Sequence, residues 1–533
     1  MTQRYGKRAV LGLIALAVLL LGFSWLMSSP TPSGSDEPAA YIRALAVAQG
    51  ELTGPHALFP YRDQQHPEAV YIWDQTSRSY QVPALQAPAA TFACDAGGIT
   101  TPATCTAGTR CERWSAPCTG SPPTTGAATL VTYLGDYEPT TYVVPGLLAL
   151  LADSDVNGLR AARFGTVLIA CLFITLAAAL LWDRRRPGDA LLGLVISVTP
   201  MVIYTNSVLN ASGGEIASSI CFSAGLIRIT RDEGKVPRWI WIITGLSGAF
   251  LGFSRAFGPL WIVIAFLTIV AYMGFRRAWH ALRAGRGYAV ACVGLAVAGL
   301  VTDLVWWELV GRPKGGLPLS DALSVVRGIA DSVPLIYQQQ IGGFGWGEGD
   351  VTMGSFAYIV WGVMAIGLVL LSLLAGTLRQ RFTLIGSIIA NYVFIVIAGA
   401  IISVEFGFGG TGIVGRYILP WTVIITLLAG ETFRANRDRL GRAAPRHLIL
   451  YAGLAAALCQ GIGIYMAARR FAVGTTGALL FLGKSQWSPP LGWVPWLGIG
   501  AAGCVALAAA AVVAHRSQLA TERFTPNVHA AVS

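Results

Sequence analysis

Apolar runs of about twenty residues, the length that crosses a bilayer as a helix, recur along this chain with short polar segments between them. The first runs from about Ala9 to Met27 behind Arg4, Lys7 and Arg8. A basic flank holds the start of such a span in the cytoplasm. The run exceeds the h-region of a secretory signal, and SWLMSSP offers no small-x-small cleavage site, so an uncleaved first span is predicted. Further spans are predicted at about 158–182, 189–208, 213–230, 239–254, 257–275, 287–309, 355–376, 382–404, 417–431, 448–467 and 494–514. The segments DRRRPGD, RDEGKVPR, RRAWHALRAGRG, LRQR and RANRDRLGRAAPR, which alternate to one side, are the most basic. The pattern predicts an all-α, multi-pass protein of the plasma membrane, with about twelve transmembrane helices and both termini cytoplasmic. Arg469 and Arg470, at an outer helix end, run against that alternation.

The chain then divides into a first span (1–27), an exoplasmic segment (28–157), spans to 310, a second exoplasmic loop (311–353), spans from 354 to 514 and a cytoplasmic tail (515–533). The first exoplasmic segment is too long to be a plain connection. It opens with an amphipathic helix that has Ala39, Ile42, Leu45 and Ala46 on one face. Strand-like pieces follow in AVYIW and SRSYQV, then a stretch rich in Gly, Pro and Thr. It closes with TYVVPGLLALLA, a short apolar helix placed against the membrane. No internal repeat is visible, which argues against many secondary transporters.

Composition sharpens this picture. Of 533 residues, 54% are apolar and 12% charged, where globular domains carry about 25% charged residues. The net charge of +11 suggests nucleic acid until it is mapped, because the basic residues concentrate in the inner loops. The excess is topology, and no nucleic-acid partner is expected. Five of the nine cysteines (Cys171, Cys221, Cys292, Cys459 and Cys504) lie in apolar runs. Cys94, Cys105, Cys111 and Cys118 cluster in the first exoplasmic segment, where two disulfides are expected. Zinc is the alternative, but the spacing has no CxxC and no nearby histidine.

Ionisable groups at the outer membrane edge are the candidates for chemistry. Asp36 and Glu37, in SGSDEPAAYIRA, follow the first span directly. They read either as an acid/base pair or as the N-cap region of the next helix, with Ser35 or Asp36 capping and Pro38 in its first turn. Arg416, in GRYILP, reads as a phosphate-binding fork or as an interfacial anchor beside Tyr417. Arg255, in FSRAFGP, sits at a comparable helix end. Glu215 stands at the turn of an outer hairpin, where it serves function or complements a helix dipole. Arg160 and Arg163 break the charge rule at the outer start of a span. Glu348 and Asp350 lie in GGFGWGEGD, glycine-rich enough to move as a lid. Asp153-Ser154-Asp155 spells DxD, the spacing of a metal–sugar-phosphate site, or simply caps the next span. No P-loop, Rossmann fingerprint, HExxH or GxSxG motif occurs.

The order of DEPAAYIRA, RAARF, SVLNASGGEIA, SRAFGPLW, GGFGW and GRYILP resembles a family of bacterial polytopic membrane proteins related to the C-type glycosyltransferase (GT-C) superfamily. The resemblance spans about residues 10–435. It implies an integral-membrane glycosyltransferase that moves a sugar from a polyprenyl-phosphate donor to a cell-envelope glycan, glycolipid or protein on the outer face. Carried over, the acidic motif falls on Asp36 and Glu37 and the donor-phosphate arginine on Arg416, with Arg255 assisting. Asp36 would act as general base, and Glu37 would orient its helix or assist a metal. A divalent metal is allowed but not required. The chain departs from the family pattern at Ala40, where histidine is common, and at Val414, where glutamine is common. The alternatives are a transporter or lipid-carrier flippase, or an accessory membrane protein without catalysis.

Overall fold

The computed structural model describes residues 2–59, 67–90, 103, 126–311, 322–345, 349–406, 413–443 and 445–524. Helix α1 (Thr2–Ser28) carries the first expected crossing. The long segment after α1 contributes α2 (Glu37–Ala48), α3 (Pro67–Thr76), β1 (Arg78–Pro83), β2 (Ala127–Thr132) and α4 (Val143–Ala149). Strands β1 and β2 pair antiparallel with Tyr80 opposite Leu130, so SRSYQV forms a strand as its alternation predicts. AVYIW does not. It lies inside α3, which starts at Pro67, a residue preset for a first helical turn.

Helix α2 also departs from expectation. It is buried on every side from Glu37 to Val47, a core helix instead of an amphipathic one. Small residues allow this, because neighbouring backbones can come close. Gly146 of α4 sits against the Ala44 carbonyl, where an added Cβ would fall 2.0 Å from oxygen. Helix α4 leaves Val143, Val144 and Leu147 exposed on its outer face.

The remainder is α5 (Asp155–Leu181), α6 (Pro187–Ser197), α7 (Pro200–Thr205), α8 (Ala211–Arg231), α9 (Arg238–Gly252), α10 (Gly258–Met273), α11 (Phe275–Gly285), α12 (Gly287–Val310) and α13 (Ala322–Gly342). The hairpin β3 (Gly343–Phe344) and β4 (Val351–Thr352) follows, then α14 (Ser355–Ala375), α15 (Leu378–Phe406), α16 (Gly415–Asn436), α17 (Leu448–Val473) and α18 (Trp493–Phe524). Among the described residues, eight helices are long and apolar enough to cross a membrane, or up to nine if the bent pair α10–α11 counts as one. The eight are α1, α5, α12 and α14 to α18. The remaining expected spans fall on shorter or more polar helices. The one expected at 189–208 breaks between α6 and α7, where Pro200 lacks an N–H and the Thr199 hydroxyl caps the new helix. Helix α8 is rich in Gly and Ser and carries Glu215 and Arg228. The segment 311–353, expected to be a loop, holds the helix α13.

Helices α1 and α18 run antiparallel in contact. Gly6 lies against Ser517, and Gly503 and Gly500 lie against Leu21 and Ser24. The start of α1 therefore shares one end of the molecule with the end of α18, and the residues after Ser28 lie at the opposite end. At the terminal end, Arg231 and Arg434 both pair with Glu431. Arg434 also reaches Asp183, and Arg437 reaches Asp189 and Glu522. The described cysteines Cys171, Cys221, Cys292, Cys459 and Cys504 are free thiols. Cys94, Cys105, Cys111 and Cys118, and with them the expected disulfides, lie outside the described residues.

Candidate functional site

The turn after α1 holds the two acidic residues in different environments. Glu37 is fully buried and accepts five hydrogen bonds. Its Oε1 takes Arg163 Nε at 2.7 Å and the Leu209 amide at 2.9 Å. Its Oε2 takes Arg163 Nη2 at 2.6 Å and the amides of Ser33 and Gly34, each at 3.0 Å. Burial alone would raise this carboxyl, but Arg163 and the amides outweigh it and hold the group below its ordinary value. Arg163 spends its other donors on the carbonyls of Leu26, Ser29 and Pro30, closing the end of α1.

Asp36 stands at the N-cap position of α2, yet its side chain makes no capping bond. It adopts φ 62° and ψ 10°, the left-handed region that aspartate tolerates better than most residues. A conformation of that kind costs of order 1–3 kcal/mol and persists where surrounding structure enforces it. Here it aims the carboxylate away from the helix. Tyr133 donates to Oδ1 at 2.7 Å, and Arg416 Nη2 donates to Oδ2 at 2.9 Å. Burial first, then Asp36 itself, pushes the Tyr133 phenol far above its ordinary range, so the phenol remains a donor. Asp36 keeps 34% side-chain exposure against 7% for Arg416, so the carboxylate is the open partner of the pair.

Arg416 comes from the first turn of α16. Gly415 is required beside it, because an added Cβ would lie 2.6 Å from the Gln339 side chain. The Gly415 amide is capped by Gln339 Oε1 at 2.9 Å. Pro420, inside the helix, removes the amide that would bond back to the Arg416 carbonyl and loosens the turn that presents it. Tyr417 lies under two guanidinium groups, Arg255 at 3.9 Å and Arg416 at 5.0 Å from its ring centre. Arg255 also donates to Ser212 at 2.9 Å and sits 5.7 Å from the Tyr137 ring.

The structure thus gathers Asp36, Arg416, Tyr417 and Arg255 at one mouth, with Glu37 directly behind. Glu215 lies one turn along α8 from Ser212, buried, and accepts from Trp261 at 2.9 Å. Arg163 joins the site through Glu37. Arg160 does not, and reaches only Asn157 on its own helix. Asp350 belongs to the β3–β4 hairpin, whose Gly345 carbonyl accepts from Ser35 at 3.4 Å. Glu348 lies outside the described residues. Asp153 accepts from Asn157 at 3.0 Å and Ser154 caps α5, so DxD acts as a helix cap here. Ala40, in place of the histidine, is completely buried. Among the described residues, no group of three His, Cys, Asp or Glu side chains stands ready to hold a metal.

Several neighbours escape a reading of the sequence. Tyr133, Tyr137 and Glu138 come from the loop after β2, where the acid–aromatic string DYEP was the available signal. Asp303 is buried and, with the terminal Glu308, is one of two charges in the apolar α12, the kind of intramembrane acid that marks a functional candidate. Glu138 is buried against it. Burial first, then Asp303, raises the Glu138 carboxyl to about 8. Asp136 is raised to about 7 by burial, despite Arg78 at 3.0 Å and nearby Arg43.

The profile of a family described as predicted membrane protein (DUF2142) matches residues 19–425. The chain belongs to that family. The matched stretch includes all six candidates from Asp36 to Tyr417. No curated protein matches the chain. Among solved structures, ArnT from Cupriavidus metallidurans bound to undecaprenyl phosphate is similar at 14% identity and a TM-score of 0.42, over 95% of this chain and 77% of that one. The same protein in the apo state is similar at 15% identity and a TM-score of 0.35, over 72% and 67%. Both likenesses are distant.

Proposed function

We propose that this protein is a membrane glycosyltransferase that takes a sugar from a polyprenyl-phosphate carrier and passes it to a hydroxyl of an envelope glycan, glycolipid or protein. The observation that carries the reading is the pairing of Asp36 with Arg416 across 380 positions of chain, at 2.9 Å, where α16 begins. A carboxylate is the group that takes a hydroxyl proton, and a guanidinium fork is the group that grips phosphate oxygens. In the structure the two pair with each other. An arriving lipid phosphate competes for Arg416 and releases Asp36, which Tyr133 still orients.

The acceptor oxygen then attacks the sugar's anomeric carbon, and the bond from that carbon to the phosphate oxygen breaks. The hydroxyl proton passes to Asp36, and the bonding electron pair leaves with the polyprenyl phosphate. Arg416, with Arg255 behind Tyr417, offsets the charge gained there. Glu37 has no lone pair to spare and acts as a positioning residue. The site faces the exoplasmic side of the plasma membrane, and both termini are cytoplasmic.

The test is transfer by reconstituted protein supplied with a labelled polyprenyl-phosphate sugar. Asp36→Asn is expected to lower transfer by about 10²-fold or more, as loss of a general base does. Arg416→Lys keeps charge but loses the fork and should weaken donor-lipid binding, while Arg416→Ala should nearly abolish it. Label that crosses the bilayer without forming product would point to a flippase instead. Wild-type transfer by Asp36→Asn would remove the assignment.

A further inference from the structure

Helix α11 breaks sharply from the bundle. It turns 110° from α10 at Gly274, whose φ of 90° a side chain would strain, and it ends where α12 begins. It thus links the end of the apolar α10 to the start of the apolar α12. One face, with Ala278, Ala281 and Gly285, is buried. Gly285 meets Trp241 of α9, and the Ala281 carbonyl meets Gly234 of the loop after α8.

Among the described residues, none covers the face that carries Phe275, Trp279 and Arg283. Phe275 is 73% and Trp279 45% exposed, one turn apart, with their rings stacked at 7°. Arg283 continues the row and lies 4.9 Å from the Trp279 ring centre. Arg276, Arg277 and Arg286 are exposed beside them. Arg379, from the first turn of α15, extends the patch by donating to the Met273 carbonyl at 3.1 Å. The acidic neighbour in contact is Glu233, which takes Arg277 at 3.2 Å. Exposed Leu378 and Phe382 continue the apolar border at 70% and 71%.

An exposed aromatic pair fringed by arginines, on a helix that links two apolar helices, matches the chemistry of a leaflet boundary. We propose that α11 docks on anionic phospholipid headgroups of the leaflet at the terminal end of the molecule. Arg276, Arg283 and Arg379 take the phosphates, while Phe275 and Trp279 sink to the acyl-chain border. The inference rests on the membrane reading and is independent of sugar transfer.

The experiment measures binding of short-chain phosphatidylglycerol and phosphatidylcholine to the purified full chain in neutral detergent. Wild type should prefer phosphatidylglycerol. Arg276→Gln with Arg283→Gln should lose roughly fivefold of that preference per arginine removed. A control with Arg439→Gln and Arg446→Gln, exposed arginines elsewhere at that end, should keep it. Equal binding of both lipids by wild type, an unchanged preference in the α11 variant, or an equal loss in the control overturns the proposal. A second measurement needs no variant. Amide exchange across residues 275–286 should be slower in phosphatidylglycerol nanodiscs than in phosphatidylcholine ones, and equal exchange overturns the proposal as well.

Discussion

Asp36 keeps part of its surface open and shares its oxygens with Tyr133 and Arg416, whereas every lone pair of Glu37 is already engaged. The family resemblance casts Asp36 as base and Glu37 as support, but the sequence carries no physical reason for that division. The division depends on Arg163 and on amides of Ser33, Gly34 and Leu209 that arrive from different elements. Arg416 is legible, since an arginine at the start of an apolar span has few reasons to be there. Tyr133 and Glu138 are not, because tyrosines and acids in a long polar segment are unremarkable until the fold buries them. Glu138 yields a prediction with a definite sign. Burial and Asp303 raise its carboxyl from 4.5 to about 8, so the folded protein holds a proton that the unfolded chain releases. Its stabilising share is complete below pH 4.5 and is lost as pH rises toward 8. Asp136, raised from 3.8 to about 7, adds a loss of the same sign in a lower window. Glu138→Gln, which cannot titrate, should flatten the upper part of the decline. Melting temperature in detergent, followed from about pH 5 to 9, checks this, and an unaltered slope would contradict it.

Helix α2 shows what periodicity cannot reach. Its apolar positions fit one helical face, yet it is buried on all sides because alanines lie on the others. Similarly, a continuous apolar stretch at 189–208 conceals a break that only Val198-Thr199-Pro200 announces. Long spans such as α1, α5 and α14 read correctly, since about twenty apolar residues leave one structural solution in a bilayer. The element that holds the site is the turn from α1 to α2, clamped by Arg163 of α5. Both Glu37 and Arg163 have side chains of 0% exposure, so removing one strands a charge. Arg163→Met should destabilise the protein by about 3–5 kcal/mol. Arg163→Lys should recover only part, because one ammonium cannot serve Glu37 and the carbonyls of Leu26, Ser29 and Pro30 together. Thermal unfolding of the purified variants decides this, and a methionine variant as stable as wild type would show that packing alone fixes the turn.

At the scale of the molecule, the acidic site lies at one end, and the start of α1 and the end of α18 lie at the other. Helix α1 has 27 residues, a rise of about 40 Å, which separates the start of the chain from Asp36. The antiparallel contact of Gly6 with Ser517 and of Gly500 with Ser24 puts the end of α18 beside the start of α1. Lys7 donates to the Ala179 carbonyl, which brings the end of α5 to the same place and leaves its start, and Leu151 just before it, at the end that holds the acidic site. The charges sort along this axis. Arg186, Arg231, Arg434 and Arg437 crowd the terminal end and pair with Asp438, Glu431, Asp183 and Asp189. Basic residues are retained in the cytoplasm during insertion, so the terminal end should face inward and Asp36 outward. Single cysteines at Arg439 and Leu151, both exposed, offer the measurement on a background with the nine native cysteines replaced by serine. A membrane-impermeant maleimide applied to intact cells should label the cysteine at Leu151 and spare the one at Arg439 until the membrane is opened. Reversed labelling would put Asp36 and Arg416 in the cytoplasm and exclude transfer from a carrier on the outer leaflet.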